Sequence, residues 1–302
     1  MTNPIETSGL MRVFRRHEAV RGLDLTVPQG SIFALIGPNG AGKTTTIKML
    51  LNLIRPSRGL ARVLGVDSRR LGVTELQRIG YVSESQQLPD WMTIDQLLAY
   101  CRPFYPTWDT DLCRKLTAEL RLTSTAPLKH QSRGTRMKAA LLASLAYRPE
   151  LLVLDEPFTG LDPLVREEVI QGLLEAPGER AFTALVSSHD VEEVERLADW
   201  VGFMVDGRLT VCEPVASLLD RYRRVEVVAA DGDAPTLPAD RDWIAEGSAG
   251  RTLRFVDSAF RADGGEARLA TAFPAAAVQV TPMSLREIFL VLARRSAAPE
   301  AS

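Results

Sequence analysis

A chain of 302 residues, 45% apolar and 25% charged, predicts about two domains whose cores need no disulfide or structural metal. Its net charge of −2 excludes a whole-molecule field aimed at nucleic acid, and its three cysteines, without CxxC spacing, exclude a disulfide or zinc framework. The longest uncharged apolar run, Ala139 to Tyr147, is far short of the roughly 20 residues that span a bilayer, and the N-terminus lacks a signal-peptide core, so a cytosolic chain is expected.

Ser31–Ile36 is a short apolar run leading into Gly37-Pro38-Asn39-Gly40, which predicts a buried strand entering a glycine turn. Thr44–Ile54 predicts a helix, stopped at Arg55-Pro56. From Gln86 to Tyr147 no strand pattern occurs. Thr93–Cys101 and Leu112–Leu120 read as helices on either side of a Pro/aromatic stretch, a helical insertion over about 86–147 in an α/β core. Leu151–Leu154 and Ala181–Ser187 are apolar runs without alternation, the habit of parallel strands covered on both faces. Asp162-Pro163 predicts a helix start, a capping carboxylate followed by proline at the first helical position.

The chain changes character near Tyr222. Val225–Val228, Leu253–Val256 and Val278–Val280 read as strands, the first two flanking the Pro/Asp/Gly-rich loop Ala230–Asp242. Ser284–Glu287 is a capping-box pattern opening a helix with Leu285, Ile288, Phe289 and Leu292 on one face. The expected organisation is a first domain over 9–222 and a small accessory α+β domain over 223–302.

Gly37-Pro38-Asn39-Gly40-Ala41-Gly42-Lys43-Thr44 fits G-x-x-x-x-G-K-[ST] and lies between a buried strand and a helix, with Thr45 next on the helix. Glycines let backbone N–H groups close around phosphate oxygens without an obstructing Cβ. Lys43 supplies a point charge for the β- and γ-phosphates, the Thr44 hydroxyl is a ligand for Mg²⁺, and the helix N-terminus adds its dipole. Asp155 ends the apolar strand Leu151–Leu154, placing a carboxylate at the sheet's carboxyl edge where the phosphate loop also opens. Asp155 then suits water-mediated Mg²⁺ binding, and Glu156 suits polarising an attacking water. His189 ends the third strand, a position that by itself more often holds a capped or exposed histidine than a catalytic one.

The order of the phosphate loop, Ser132-Arg133-Gly134, Leu151–Pro157, Gly160-Leu161-Asp162 and Ser188-His189-Asp190 resembles the ATP-binding-cassette family over roughly residues 9–220. That resemblance implies an α/β P-loop NTPase (RecA-like) core with an N-terminal β subdomain, the helical insertion and the C-terminal α+β extension. It implies ATP and Mg²⁺ held in a head-to-tail homodimer or heterodimer, with Ser132 and Gly134 of one protomer closing on the γ-phosphate bound by the other. It further implies that Phe14 stacks on adenine, that Asp162 crosses the dimer interface and that His189 contacts the γ-phosphate. The partner implied is a transmembrane permease subunit, with no nucleic acid, so the chain would sit on the inner face of the cell membrane.

This chain departs from the family pattern at Gln131 and Thr135, where Leu and Gln are usual, and at Glu84, which stands where the family places a metal-binding Gln. Gln86 and Gln87 lie beside it and compete for that role. Tyr81–Glu84, Leu88–Thr93 and Arg102–Trp108 resemble a bacterial exporter branch often linked to GntR-type regulators, and Val280–Phe289 resembles the tails of ABC-2 type exporting subunits. The rival expectation is a soluble family member acting in translation or on DNA; a single phosphate loop, with neither coiled coil nor basic linker, weighs against it.

Overall fold

The computed structural model describes residues 3–175, 182–274 and 276–297, and the chain divides into two compact units, Met1–Cys212 and Glu213–Ser302. The first unit opens with strands β1 (Ile5–Phe14), β2 (His17–Leu23), β3 (Thr26–Val27) and β4 (Ile32–Ile36), then helix α1 (Lys43–Leu50). Strands β5 (Arg58–Val63) and β6 (Val66–Asp67), a short helix α2 (Val73–Leu76) and β7 (Ile79–Ser83) follow. The helices α3 (Ile94–Cys101), α4 (Thr110–Glu119) and α5 (Arg133–Leu145) form the insertion. The unit continues with β8 (Leu151–Asp155), α6 (Pro163–Glu175), β9 (Thr183–Ser188), α7 (Val191–Val194), β10 (Trp200–Val205) and β11 (Arg208–Pro214).

Two sheets organise this unit. An antiparallel sheet in the order β2-β1-β5-β6, with β3 on β1, covers the N-terminal side. A six-stranded sheet in the order β11-β10-β4-β9-β8-β7 is parallel from β10 to β7. Its inner strands are buried along nearly their whole length, as unalternating apolar sequence requires. The register aligns Ile36 with Ser188 and Asp155 with Ser187, so β4, β9 and β8 deliver their last residues to one carboxyl edge.

The insertion is helical as its sequence predicts, and each helix is capped by its own side chain. Thr93 accepts from Gln96 N, Asp109 from Leu112 N and Ser132 from Thr135 N. The helix expected over Thr44–Ile54 is shorter. It stops at Leu50, and Asn52 takes a φ of 59°, a left-handed turn that asparagine tolerates. Ile54 still packs on the core, so its apolar character extended the helical pattern beyond the helix. Ala181, the first residue of the expected third strand, lies outside the described residues. The N-terminal strands, β10 and β11 carried no individual expectation, because their sequences are short or interrupted by glycine.

The second unit contains α8 (Val215–Arg221), β12 (Arg223–Val228), β13 (Trp243–Ala249), β14 (Thr252–Asp257), α9 (Gly265–Ala272), β15 (Ala277–Pro282) and α10 (Leu285–Ala297). Helix α8 therefore groups with the C-terminal unit, and the division falls ahead of Tyr222. The strands pair antiparallel in the order β13-β14-β12-β15. Val225, Val227, Leu253, Phe255, Leu269 and Phe273 form the core, with the Trp243 and Phe255 rings 5.0 Å apart. On α10 the buried seam runs Leu285, Ile288 and Val291, while Phe289 and Leu292 of the expected face are half-buried. Among the described residues no helix is long and apolar enough to cross a membrane.

Phe255 is fully buried in the second core, so Phe255→Ala should cost about 3–5 kcal/mol of that unit's stability. Calorimetry of the full chain should show one unfolding transition moved down and the transition of the larger unit unmoved. A uniform shift of all unfolding would mean the two units unfold as one.

Candidate active site

The phosphate loop leaves β4 and enters α1, and its shape depends on two glycines. Gly42 has a φ of 104°, and a Cβ there would stand 2.3 Å from the Ala19 carbonyl oxygen. A Cβ on Gly37 would stand 2.1 Å from the Met204 carbonyl oxygen. Neither position admits a side chain. Gly37 N also donates to the Ser188 carbonyl at 3.2 Å, tying the loop to the end of β9. The first turn of α1 presents N–H groups that have no partner earlier in the helix, which suits anionic oxygens.

Lys43, 5% exposed, donates to the carbonyls of Gly37 (2.6 Å) and Pro38 (3.2 Å), and its ammonium lies 3.0 Å from Glu156 Oε1. Thr44 Oγ1 donates to Asp155 Oδ1 at 2.9 Å. The same carboxylate oxygen accepts from Ser187 Oγ at 2.7 Å. Asp155 and Thr44 are thus an adjoining all-oxygen pair of the kind a hard divalent cation takes. No cluster of three His, Cys, Asp or Glu able to hold a metal occurs among the described residues, so the Thr44–Asp155 pair would need further ligands to complete a cation's coordination.

Glu156 has a φ of 54°, a left-handed conformation that a glutamate adopts only under restraint. The restraint is visible: its N–H donates to the Ser187 carbonyl (3.2 Å) and faces Ser187 Oγ (3.0 Å). Glu156 Oε2 accepts from Thr159 Oγ1 at 3.1 Å and pairs with His189 Nδ1 at 2.7 Å. Burial pushes the Glu156 carboxyl up, but the His189 hydrogen bond and the Lys43 charge outweigh it and hold the group below its ordinary range. Glu156 is therefore a carboxylate at neutral pH, and the His189 ring donates to it through Nδ1. Lys43, Glu156 and His189 form one bonded group and Thr44 and Asp155 another, and Ser187 joins the two into one constellation at the carboxyl edge of the parallel sheet.

The other sequence-derived candidates stand apart from it. Phe14, 41% exposed, ends β1 with the Arg12 guanidinium 4.4 Å from its ring centre. Ser132 caps α5, and Gly134 faces α6, where a Cβ would meet Val165 Cγ1 at 2.7 Å. Asp162 caps α6, accepting from Leu164 N and Val165 N. Glu84 N donates to the Asp155 carbonyl at 3.0 Å, yet its carboxylate turns to Arg133, 2.6 Å away in the segment that caps α5. Gln86 Oε1 lies 3.4 Å from Ser83 N. Ser187, Thr159 and Arg133 are the participants that sequence reading left out. Ser187 ends the strand beside Asp155, and Thr159 lies three residues after Glu156, a spacing at which side chains return to one another in a turn.

A phosphate loop between strand and helix, facing carboxylates at the carboxyl edge of a parallel sheet, defines a P-loop nucleoside triphosphatase. A sequence model of the family described as ABC transporter matches residues 20–159. The daunorubicin/doxorubicin resistance ATP-binding protein DrrA of Streptomyces peucetius is 37% identical over 69% of this chain and 64% of its own length. The bacitracin transport ATP-binding protein BcrA of Enterococcus faecalis is 31% identical over 76% of this chain and 75% of its own. The solved structure of an ATP binding subunit of an ABC transporter superposes with a TM-score of 0.63 at 26% identity, covering 71% of this chain and 91% of that one. The chain belongs to the ATP-binding subunits of ABC transporters, and it is an ATPase. A soluble role in translation or on DNA is not favoured, since the relatives are transporter subunits.

His189→Ala removes a group that holds Glu156 ionised and leaves the burial in place. The Glu156 pKa should rise, so the acid limb of the residual ATPase pH profile should move to higher pH than in the wild type. An acid limb that stays in place would separate Glu156 titration from turnover.

Proposed function

We propose that this chain drives an exporter, with Glu156 as the group that polarises the attacking water. The observation that carries this reading is the constellation itself: a restrained carboxylate, held ionised by Lys43 and His189, adjoining the Thr44–Asp155 oxygen pair. Lys43 and the N–H groups of the loop and α1 hold the β- and γ-phosphates, with Thr45 at the same helix start. Thr44 and Asp155 would hold Mg²⁺, Asp155 through water. When bound, Mg²⁺ neutralises charge developing between the transferred phosphoryl group and its leaving group. Glu156 accepts the proton of the water it orients, and His189, bonded to it through Nδ1, holds that carboxylate in place.

Phe14 stacks on adenine at the open end of β1. Ser132 and Gly134 sit at the start of α5, where an N-terminal helix turn can meet the γ-phosphate bound by a second protomer, and Asp162 crosses between protomers. The dimer pairs two copies of this chain or this chain and a paralogue. Exposed Val73, Leu76, Trp91, Tyr100 and Phe104 supply apolar area for a permease subunit; Gln77 on the α2 side donates to the Phe104 carbonyl and holds two parts of that surface together. The place of work is then the cytoplasmic face of the membrane. Kinship with drug-resistance and bacitracin transport proteins favours export. The C-terminal unit from Glu213 onward is an accessory domain that steadies the dimer or regulates its closure.

Glu156→Gln keeps size and hydrogen bonding but removes the base. ATP should still bind, turnover should fall by about 10²- to 10⁴-fold, and an ATP-stabilised dimer should accumulate on size-exclusion chromatography. Wild-type turnover in this variant would overturn the assignment.

Glu84 is read as the third metal-facing residue, exchanging Arg133 for the cation when nucleotide is bound. Mg²⁺ titrations of ATPase rate should then show an altered metal dependence in Glu84→Gln with activity kept, and a larger loss in Glu84→Ala. Unchanged metal dependence in both, with a loss in Gln86→Ala, would move the role to Gln86.

A further inference from the structure

One buried carboxylate next to the site has no part in the chemistry above. Glu193, on α7, is 3% exposed, and both of its oxygens are engaged. Oε2 accepts from Ser188 Oγ at 2.6 Å, and Oε1 lies 3.1 Å from Arg166 Nη2. Burial pushes its carboxyl up, against the opposing pull of Ser188 and Arg166. A buried carboxylate of this kind is costly unless paired, so its two partners define what it does.

Ser188 and Arg166 belong to different elements, the end of β9 and helix α6. Ser188 immediately precedes His189, and its hydroxyl oxygen also accepts from the N–H of Asp190 at 3.0 Å, closing a tight turn around the histidine. The Ser188 carbonyl accepts from Gly37 N, so this turn is tied to the phosphate loop as well. Arg166 lies one turn into α6, its N–H donating to the carbonyl of Asp162, the cap of that helix. A continuous path therefore runs from Asp162 through Arg166, Glu193 and Ser188 to His189, and from His189 Nδ1 to Glu156.

We propose that Glu193 is a positioning residue for ATP hydrolysis: by holding Ser188 it fixes the backbone on both sides of His189, and by holding Arg166 it couples that turn to the helix capped by Asp162. This inference rests on the reading of Glu156 and His189 given above. Its consequence is that His189 and Glu156 are aligned by the same element that meets the second protomer. An ion pair between α6 and α7 links the two elements without touching nucleotide.

The test uses the full chain in two readouts. In ¹⁵N-histidine-labelled protein without nucleotide, the His189 Nδ1 signal, assigned by its loss in His189→Ala, should carry a slowly exchanging, hydrogen-bonded proton. Glu193→Ala and Ser188→Ala should both lose that protection. In Mg²⁺-ATP turnover both variants should lose roughly 10- to 100-fold in kcat, the order expected for a misplaced reacting group, with KM changed less than about twofold. Ser188→Ala leaves Glu193 and Arg166 paired, so it decides the matter should Glu193→Ala fail to fold. The losses in Arg166→Ala and Glu193→Ala should not add in the double variant, because both break one path.

Protected Nδ1 and unchanged kcat in folded Ser188→Ala and Glu193→Ala would overturn the proposal, as would a loss confined to KM. Additive losses in the double variant would overturn the coupling to Asp162. Full turnover in His189→Ala would instead remove His189 from the reaction, and the Nδ1 signal would still decide whether Glu193 positions it.

Discussion

The site depends on the parallel register of three strands. Because β9 lies between β4 and β8, Ser188 stands opposite Ile36 and Ser187 opposite Asp155. From that alignment follow the bond from Gly37 to the Ser188 carbonyl, the bond from Ser187 to Asp155, and the two contacts that restrain the Glu156 backbone. A one-residue slip of β9 would turn its side chains to the opposite face of the sheet and separate the phosphate loop, the Thr44–Asp155 oxygens and Glu156 together. Full burial of all three strands is what prevents the slip, so core packing here sets catalytic geometry directly.

Electrostatics then does the finer placement. Lys43 and Glu156 are both mostly buried, and neither would be tolerated there alone. Losing one partner of such a pair typically costs about 3–5 kcal/mol, much more than the intact pair contributes. The pairing keeps Glu156 ionised against the penalty of burial, and His189 adds a second hold on the same carboxylate. Glu156 is thus an ionised, positioned carboxylate in the nucleotide-free chain.

The legible parts of the sequence are those whose chemistry dictates residue type locally. A backbone cradle for phosphate requires glycine at Gly37 and Gly42, and strands buried on both faces require runs such as Leu151–Leu154. Ser187 was not legible as a ligand-positioning group because its partner Asp155 is a neighbour only through sheet order, which no local pattern encodes. Arg133 and Glu84 lie 49 residues apart in sequence and meet only because the insertion folds back. Strand β13 escaped notice for a different reason: after Trp243 it is exposed, so it carries no apolar alternation to read. Helix α1 was overextended because Ile54 packs on the core from a turn rather than from a helix.

Glu84 and Arg133 show how an added negative charge beside Asp155 is accommodated. A glutamate beside Asp155 and Glu156 adds a third negative charge to a crowded edge. Arg133, next to the Ser132 cap, offsets it at 2.6 Å, and both side chains remain nearly half exposed. Pairs that open to water are worth about 0–1 kcal/mol, so this one opens at little cost. A divalent cation competes for the same carboxylate with twice the charge and a shorter contact. Metal capture would then release Arg133, whose guanidinium also lies where a Cβ on Gly160 would meet it at 2.8 Å. The guanidinium thus sits between Glu84 and the Gly160 turn that leads to Asp162.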